Sequence, residues 1–86
     1  MEVIYSAKAQ EDIAFWKKSG NNKIKDKITE LIKNIENNPF EGQGKPEKLK
    51  HQLSGCWSRR INKEHRIVYE VISENCIHIH SLRGHY

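Results

Sequence analysis

The sequence predicts an α+β fold in which two N-terminal helices pack on one face of a mainly antiparallel four-stranded sheet. Apolar residues recur at helical spacing in the first half of the chain, and from residue 56 onward the spacing changes to two, as in β-strands. The order is one strand, two helices and three consecutive strands, which favours helices gathered on one side of an antiparallel sheet. The opposite face of that sheet is left for a ligand.

Residues 1 to 86 are expected to form a single domain. A chain of this length buries only about 60 to 65% of the surface of its unfolded form, so its core is thin. Residues 2 to 6 are predicted to form the first strand. Ser6 is suited to cap a helix from about residue 7 to 18, and Gly20 follows that helix as a stop signal.

The second helix, predicted from about residue 22 to 37, carries an apolar stripe flanked by Lys and Glu. The stripe consists of Ile24, Ile28, Leu31, Ile32 and Ile35. A stripe at this spacing is typical of a helix that buries one face, so we interpret it as core and not as a site. Asn38 and Pro39 end the helix, and segment 40 to 46, with two Gly and one Pro, is a predicted loop.

Three strands are predicted after this loop, because apolar and polar residues alternate there. Residues 56 to 61 and 66 to 72 form a hairpin around a turn at 62 to 65, and residues 76 to 82 form the last strand. Arg66 is the first residue of its strand and lies beside the turn. Alternate side chains along each strand point to opposite faces of the sheet.

The net charge of +4 is concentrated in one quarter of the chain. Residues 1 to 44 contain equal numbers of basic and acidic side chains, whereas residues 45 to 66 contain seven Lys or Arg and two Glu, a net charge of +5. This segment is predicted loop and strand, so the solvated face of a helix does not explain it. An anionic partner, above all nucleic acid, explains it better.

The two cysteines, Cys56 and Cys76, are too few to stabilise a small secreted fold by disulfide bonds, and they lack the spacing of a zinc motif. We expect both to be reduced thiols. The first ten residues lack the basic and apolar regions of a signal peptide, and no apolar run approaches the roughly 18 residues of a membrane helix. These features favour a cytoplasmic protein.

Four residues together could cleave RNA without a metal, a reaction that needs a base for the ribose 2′-hydroxyl, a cation for the phosphate and an acid for the leaving oxygen. Glu47 follows the Gly-containing loop among three lysines, whose charges favour an ionised carboxylate able to act as the base. His85 can carry a transferable proton near neutral pH. Arg66 offers a permanent planar charge to phosphate oxygens. Tyr86 offers a hydroxyl group and a ring for base stacking.

Each of these residues also has a plainer interpretation. Glu47 could pair with a lysine, Arg66 could form a salt bridge at the rim, and the last two residues could be a frayed tail. His78 and His80 share one face of a strand, as the histidines of a metal-binding HxH pair do. The sequence places no evident third ligand beside this pair, so neither a metal site nor a cofactor is predicted.

Residues 39 to 69, PFEGQGKPEKLKHQLSGCWSRRINKEHRIVY, and the final HY resemble the YoeB toxins of bacterial toxin-antitoxin pairs, within the wider RelE-like superfamily. The opening strand and both helices occur in the same order, so the likeness covers nearly the whole chain. It implies a microbial-ribonuclease-like fold and an enzyme that cleaves messenger RNA in the ribosomal A site, leaving a 2′,3′-cyclic phosphate or its opened 3′-phosphate. It also implies a YefM-like antitoxin, the ribosome and messenger RNA as partners, and a homodimer as a further assembly.

The resemblance also assigns roles to residues. Glu47 of the KPE segment matches the general base, Arg66 of EHR the phosphate-binding residue, His85 the general acid and Tyr86 the terminal aromatic residue. The residues expected to bind RNA phosphates are Lys45, Lys50, Arg59 and Arg60, of which the last three match the LK and SRR positions.

Two positions depart from the family pattern. Cys56 stands where a large apolar or aromatic residue is expected, and Gly84 stands where a bulkier residue often precedes the final HY. Because glycine restricts the backbone least, Gly84 is expected to hold the acid His85 only loosely.

Two other classes of function remain compatible with the sequence. One is a non-catalytic RNA-binding or ribosome-binding module, and the other is a protein whose basic groove receives an acidic peptide. Cleavage of messenger RNA within codons by the isolated chain separates an enzyme from both.

Overall fold

In the computed structural model, which describes residues 1 to 85, two helices lie on one face of a five-stranded sheet. The elements are β1 (Glu2–Tyr5), α1 (Ala7–Ser19), α2 (Asn22–Asn37), β2 (Glu47–Lys48), β3 (Cys56–Arg60), β4 (Arg66–Ser73) and β5 (Cys76–Ser81), with one 3₁₀ turn at His51–Leu53. Within the described part of the chain, no helix is both long and apolar enough to cross a membrane. The predicted two-layer α+β fold is confirmed.

The sheet has one strand more than predicted, in the order β1-β5-β4-β3-β2. The additional strand, β2, pairs antiparallel with β3 through Glu47 opposite Ser58 and Lys48 opposite Trp57. Two residues are too few to produce an alternating pattern, so pairing alone defines this strand. The prediction of four strands is therefore wrong in number, and β1 makes the sheet mixed because it runs parallel to β5.

Both helices begin where the sequence indicates. The Ser6 hydroxyl accepts a hydrogen bond from the Ala9 N–H at the start of α1, and the Asn21 side chain accepts one from the Ile24 N–H at the start of α2. Gly20 ends α1 in the left-handed conformation, with φ of 69°. The apolar stripe of α2 lies in the core. Its residues Ile28, Leu31 and Ile35 are buried together with apolar residues of β4 and β5.

The helices cover one side of the sheet, and we call the other side the open face. Side chains of paired residues lie on the same face, and they alternate along each strand. The pairs Glu47–Ser58, Ser58–Val68, Arg60–Arg66, Cys56–Glu70 and Glu70–His78 therefore all belong to the open face. A small apolar cluster of Leu49, Cys56 and Val68, with Leu53 against it, lies in the middle of this face.

Candidate active site on the open face

The predicted base, Glu47, is the first residue of β2 and is exposed. It adjoins a depression of about 300 Å³ beside the edge of the sheet. The depression is lined by Glu47, Lys48, Leu49, Lys50, His51 and Leu53. A carboxylate and two ammonium groups thus surround one surface concavity that can receive a sugar-phosphate chain.

The predicted phosphate ligand, Arg66, is the first residue of β4 and is 8% exposed. Its Nη1 donates to the backbone carbonyls of Asn62, at 2.7 Å, and His65, at 3.0 Å. Within residues 1 to 85, Nε and Nη2 of this guanidinium make no hydrogen bond. The turn therefore fixes the orientation of Arg66 through Nη1.

Glu47 and Arg66 lie two strands apart on the open face, and their rows differ by two residues along the strands. With strands about 4.8 Å apart and a rise of about 3.4 Å per residue, their Cα atoms are separated by roughly 12 Å. Both side chains are long, and Ser58 and Val68 lie between them. Ser58 and Val68 are themselves buried, so a ligand that contacts both charged groups lies above these two residues.

The chain end is held by two sets of hydrogen bonds. The Leu82 N–H donates to Oδ2 of the buried Asp12, at 2.9 Å, and the Leu82 carbonyl accepts from Nε1 of Trp16, at 2.9 Å. Two residues later, the Gly84 N–H donates to Nδ1 of His65, at 2.9 Å. The Gly84 carbonyl accepts from the backbone N–H at the start of β4, at 3.1 Å.

These contacts correct the expectation that Gly84 leaves the acid loosely held. Gly84 has φ of 90°, a conformation that side-chain-bearing residues rarely adopt, and both of its backbone polar groups are bonded. The His65 ring that accepts its N–H packs edge-on against Trp16, with centroids 4.9 Å apart. His85 follows directly and is exposed at the start of β4, whereas Tyr86 lies outside the described residues.

Of the four residues expected to bind RNA, Lys45, Lys50 and Arg60 are exposed. Lys45 has a positive φ of 51° in the loop before β2. Arg60 lies opposite Arg66 on the open face. Lys50 lines the depression beside Glu47, and Arg60 and Lys45 add exposed positive charge at the start of β4 and before β2.

Arg59 is different, because its side chain lies on the helix side of the sheet and is fully buried. Its guanidinium donates to Oη of Tyr69 and Oδ1 of Asn34, at 3.0 and 2.6 Å. It also donates to the backbone carbonyls of Asn38, Glu41 and Gln43, at 2.6, 3.1 and 2.8 Å. The prediction that Arg59 binds RNA is therefore wrong for this conformation, since adjacent residues of a strand point to opposite faces and only Arg60 points outward.

Tyr69 completes the network around Arg59. Its hydroxyl accepts from Arg59 and donates to the Pro39 carbonyl, at 2.6 Å. Burial raises the pKa of the Tyr69 phenol, although the neighbouring Arg59 acts in the opposite direction. The phenol is therefore protonated at neutral pH and can serve as both acceptor and donor.

A second group of polar side chains lies on the open face, beyond the apolar cluster. Cys56, Glu70 and His80 are contributed by three neighbouring strands, and their ligand atoms all lie within 4.8 Å of one another. Burial raises the pKa of the Cys56 thiol, and the negative charge of Glu70 adds to the effect. No sequence pattern indicates this group, because strand pairing and not sequence proximity brings its members together.

Several solved structures with this fold are bacterial toxins. A YoeB/ParE toxin from Agrobacterium tumefaciens superposes with a TM-score of 0.93 at 38% identity, covering 100% of both chains. A YoeB dimer from Staphylococcus aureus superposes with a TM-score of 0.88 at 46% identity, covering 100% of this chain and 98% of the other. Toxin YoeB of Escherichia coli K12 is 48% identical over 86 residues, all of both chains.

The family model of YoeB-like toxins of bacterial type II toxin-antitoxin systems matches residues 5 to 86. This chain belongs to that family.

Proposed function

We propose that this toxin is an endoribonuclease that cleaves messenger RNA in the ribosomal A site by metal-independent acid-base catalysis. The observation that carries the proposal is the attachment of the chain end to the start of β4. The backbone bond between Gly84 and Arg66 holds the residue before His85 against the start of β4. Glu47 lies on the same face of the sheet as Arg66. This arrangement supports the proposal that Glu47, Arg66 and His85 act as base, cation and acid on one bound phosphate.

The chemistry follows from these positions. Glu47 takes the proton of the ribose 2′-hydroxyl, and the 2′-oxygen forms a bond to phosphorus as the bond to the 5′-oxygen breaks. His85 donates its proton to the leaving 5′-oxygen, which gives a 2′,3′-cyclic phosphate and a free 5′-hydroxyl. Arg66 stabilises the charge that develops on the phosphate oxygens through the two nitrogens that its turn does not use. Tyr86 keeps the terminal aromatic role that the family resemblance implies.

The exposed cations support an RNA substrate. Lys45, Lys50 and Arg60 are exposed, and in this proposal they bind phosphates on either side of the cleaved bond. Such contacts are independent of sequence and weaken as salt concentration rises. They are equally suited to the phosphates of ribosomal RNA around the A site.

We also propose a YefM-like antitoxin as partner. The S. aureus structures with this fold include a YoeB–YefM complex, 46% identical to this chain with a TM-score of 0.87, as well as the YoeB dimer. A bound acidic segment would neutralise the basic open face and separate His85 from the leaving group. Displacement by about an ångström can cost about 100-fold in rate. A homodimer of this chain is proposed on the same grounds.

The proposed activity is tested by expressing the chain without an antitoxin in a bacterium and mapping RNA 5′ ends to reading frames. We expect translation to stop and new ends to fall within codons at fixed positions. In vitro, replacing the 2′-hydroxyl at the cut position by hydrogen should abolish cleavage, because that oxygen is the nucleophile. Binding without cleavage would favour the RNA-binding module instead, and random ends in untranslated RNA would argue against an A-site enzyme.

His65 is expected to affect the rate through the position of His85. His65→Ala removes the Nδ1 acceptor of the Gly84 N–H, and we expect cleavage to fall by about 10- to 100-fold, since small misplacements of a catalytic group are costly. His65→Asn retains an acceptor near the Nδ1 position and should recover part of the rate. Single-turnover cleavage and thermal unfolding measure the two effects separately. Equal rates for the Ala and Asn variants would show that the Gly84 bond does not position the acid.

A further inference from the structure

Strand pairing brings three side chains with metal-binding atoms together on the open face, away from the proposed active site. Cys56 of β3 lies opposite Glu70 of β4, and His80 of β5 lies beside Glu70 with its Nε2 3.0 Å from Oε1. β5 has an irregularity here, because Tyr69 pairs with Ile79 and Val68 pairs with Ser81. His80 is the extra residue in this bulge, and bulges commonly redirect a side chain.

We propose that Cys56, Glu70 and His80 form a binding site for a zinc ion. Thiolate, imidazole and carboxylate are the donors that Zn²⁺ takes in proteins, and three of them with one water form a tetrahedral site. Around such an ion the ligand atoms lie roughly 3.2 to 3.8 Å apart, as the bond lengths of about 2.0 to 2.3 Å dictate. The three ligand atoms already lie within 4.8 Å of one another, so small side-chain rotations complete the geometry.

The charges and burial of the group suit a divalent cation. Binding breaks the S–H bond of Cys56, releases that proton to water and leaves a thiolate and a carboxylate to balance the two positive charges. Cys56 is buried, whereas the Glu70 and His80 side chains are 39% and 35% exposed. The ion can therefore enter from solvent and meet a sulfur ligand at the base of the site.

An ion at this position would cross-link β3, β4 and β5, which form the centre of the sheet. Cys56 also packs with Leu49 and Val68, and Leu49 lies two residues after Glu47 on the same face. Zinc would thus stabilise the small apolar cluster that lies beside Glu47. Glu70 is four residues from Arg66 along β4, about 13 Å, so the ion takes no part in the proposed chemistry. The inference holds whether or not the chain cleaves RNA.

The test uses the untagged full-length chain, reduced and freed of metal, with Co²⁺ as a spectroscopic probe that Zn²⁺ then displaces. We expect one Co²⁺ per chain and a thiolate-to-cobalt charge-transfer band. Glu70→Gln and His80→Gln should each weaken binding by more than the roughly 10- to 100-fold that loss of an outer-shell partner costs. Cys56→Ser should lose the band. Cys76→Ser, which removes the other cysteine, is the matched control and should bind like the parent chain.

Several results would overturn the proposal. One is the absence of a charge-transfer band with cobalt in excess. A second is a band that is lost in Cys76→Ser but kept in Cys56→Ser. A third is an unchanged affinity for Co²⁺ in both Glu70→Gln and His80→Gln. Glu70 and His80 are partly exposed, so their variants should fold even if Cys56→Ser does not, and circular dichroism checks this. The two Gln variants alone then decide the outcome.

Discussion

Glu47→Ala and His85→Ala should each slow cleavage of ribosome-bound messenger RNA by about 10²- to 10⁴-fold, the usual contribution of a positioned acid or base. Both side chains are exposed and lie outside the two apolar clusters, so the free energy of unfolding should change by less than about 0.5 kcal/mol. Single-turnover cleavage on programmed ribosomes measures the first effect, and chemical denaturation measures the second.

Glu74→Ala is the matched control for Glu47. Glu74 is an exposed acid in the turn between β4 and β5, at the opposite end of β4 from Arg66. Its removal lowers the negative charge equally but should leave the rate unchanged. If a folded Glu47→Ala or His85→Ala variant cleaves at the parental rate, the proton-transfer role of that residue is incorrect. Ribosome binding measured in parallel separates a loss of chemistry from a loss of affinity.

The proposed zinc site does not conflict with the proposed metal-independent reaction. In the proposed reaction the base, the cation and the acid are all side chains, so removal of metal should leave the rate on folded protein unchanged. Loss of zinc should appear instead as a lower unfolding temperature, because an ion that binds the folded state stabilises it by mass action. The two sites can be tested separately because Arg66 and Glu70 lie on the same face of the sheet but at different positions along β4.

Local patterns in the sequence were sufficient for most of the fold. The stripe of α2 and the cap at Ser6 involve residues within a few positions of one another, so local patterns identified both helices. The β3–β4 hairpin was equally local. By contrast, β2 consists of two residues whose hydrogen bonds go to a strand about ten residues away, and no periodicity indicates it.

Candidate site residues could be named from the sequence where a residue's own chemistry suggests a role. Glu47 and Arg66 lie on one face of the sheet, but the two arginines of SRR could not be told apart without knowing which face of β3 the helices cover. The Cys56 group was missed because its members are 10 to 24 residues apart. The fixed position of Gly84 was missed for the same reason, since its side-chain partner, His65, lies 19 residues earlier.

Arg59→Ala should be among the most destabilising single substitutions in the chain, and Arg60→Ala should have almost no effect on stability. Arg59 is fully buried, and its guanidinium makes five hydrogen bonds, three of them to carbonyls of the loop that leads to β2. Removing the guanidinium leaves buried neutral acceptors without their donors, and each unsatisfied group typically costs about 1 to 3 kcal/mol. Arg60 is exposed, so its loss should change the unfolding free energy by about 0.5 kcal/mol or less.

The effects of these two substitutions on RNA binding should follow the opposite order. Arg60 lies on the open face of the sheet, whereas Arg59 is buried on the helix side. Arg60→Ala should weaken binding of a short RNA and reduce its salt dependence by about one phosphate contact. Arg59→Lys keeps the charge but has three donors for five acceptors, so its stability should fall between those of the parent and Arg59→Ala. Urea denaturation and RNA titrations at two salt concentrations measure these quantities. An Arg59→Ala chain that is as stable as the parent but binds RNA weakly would restore the phosphate-binding role that the structure removes, because only an outward-facing arginine could produce that combination.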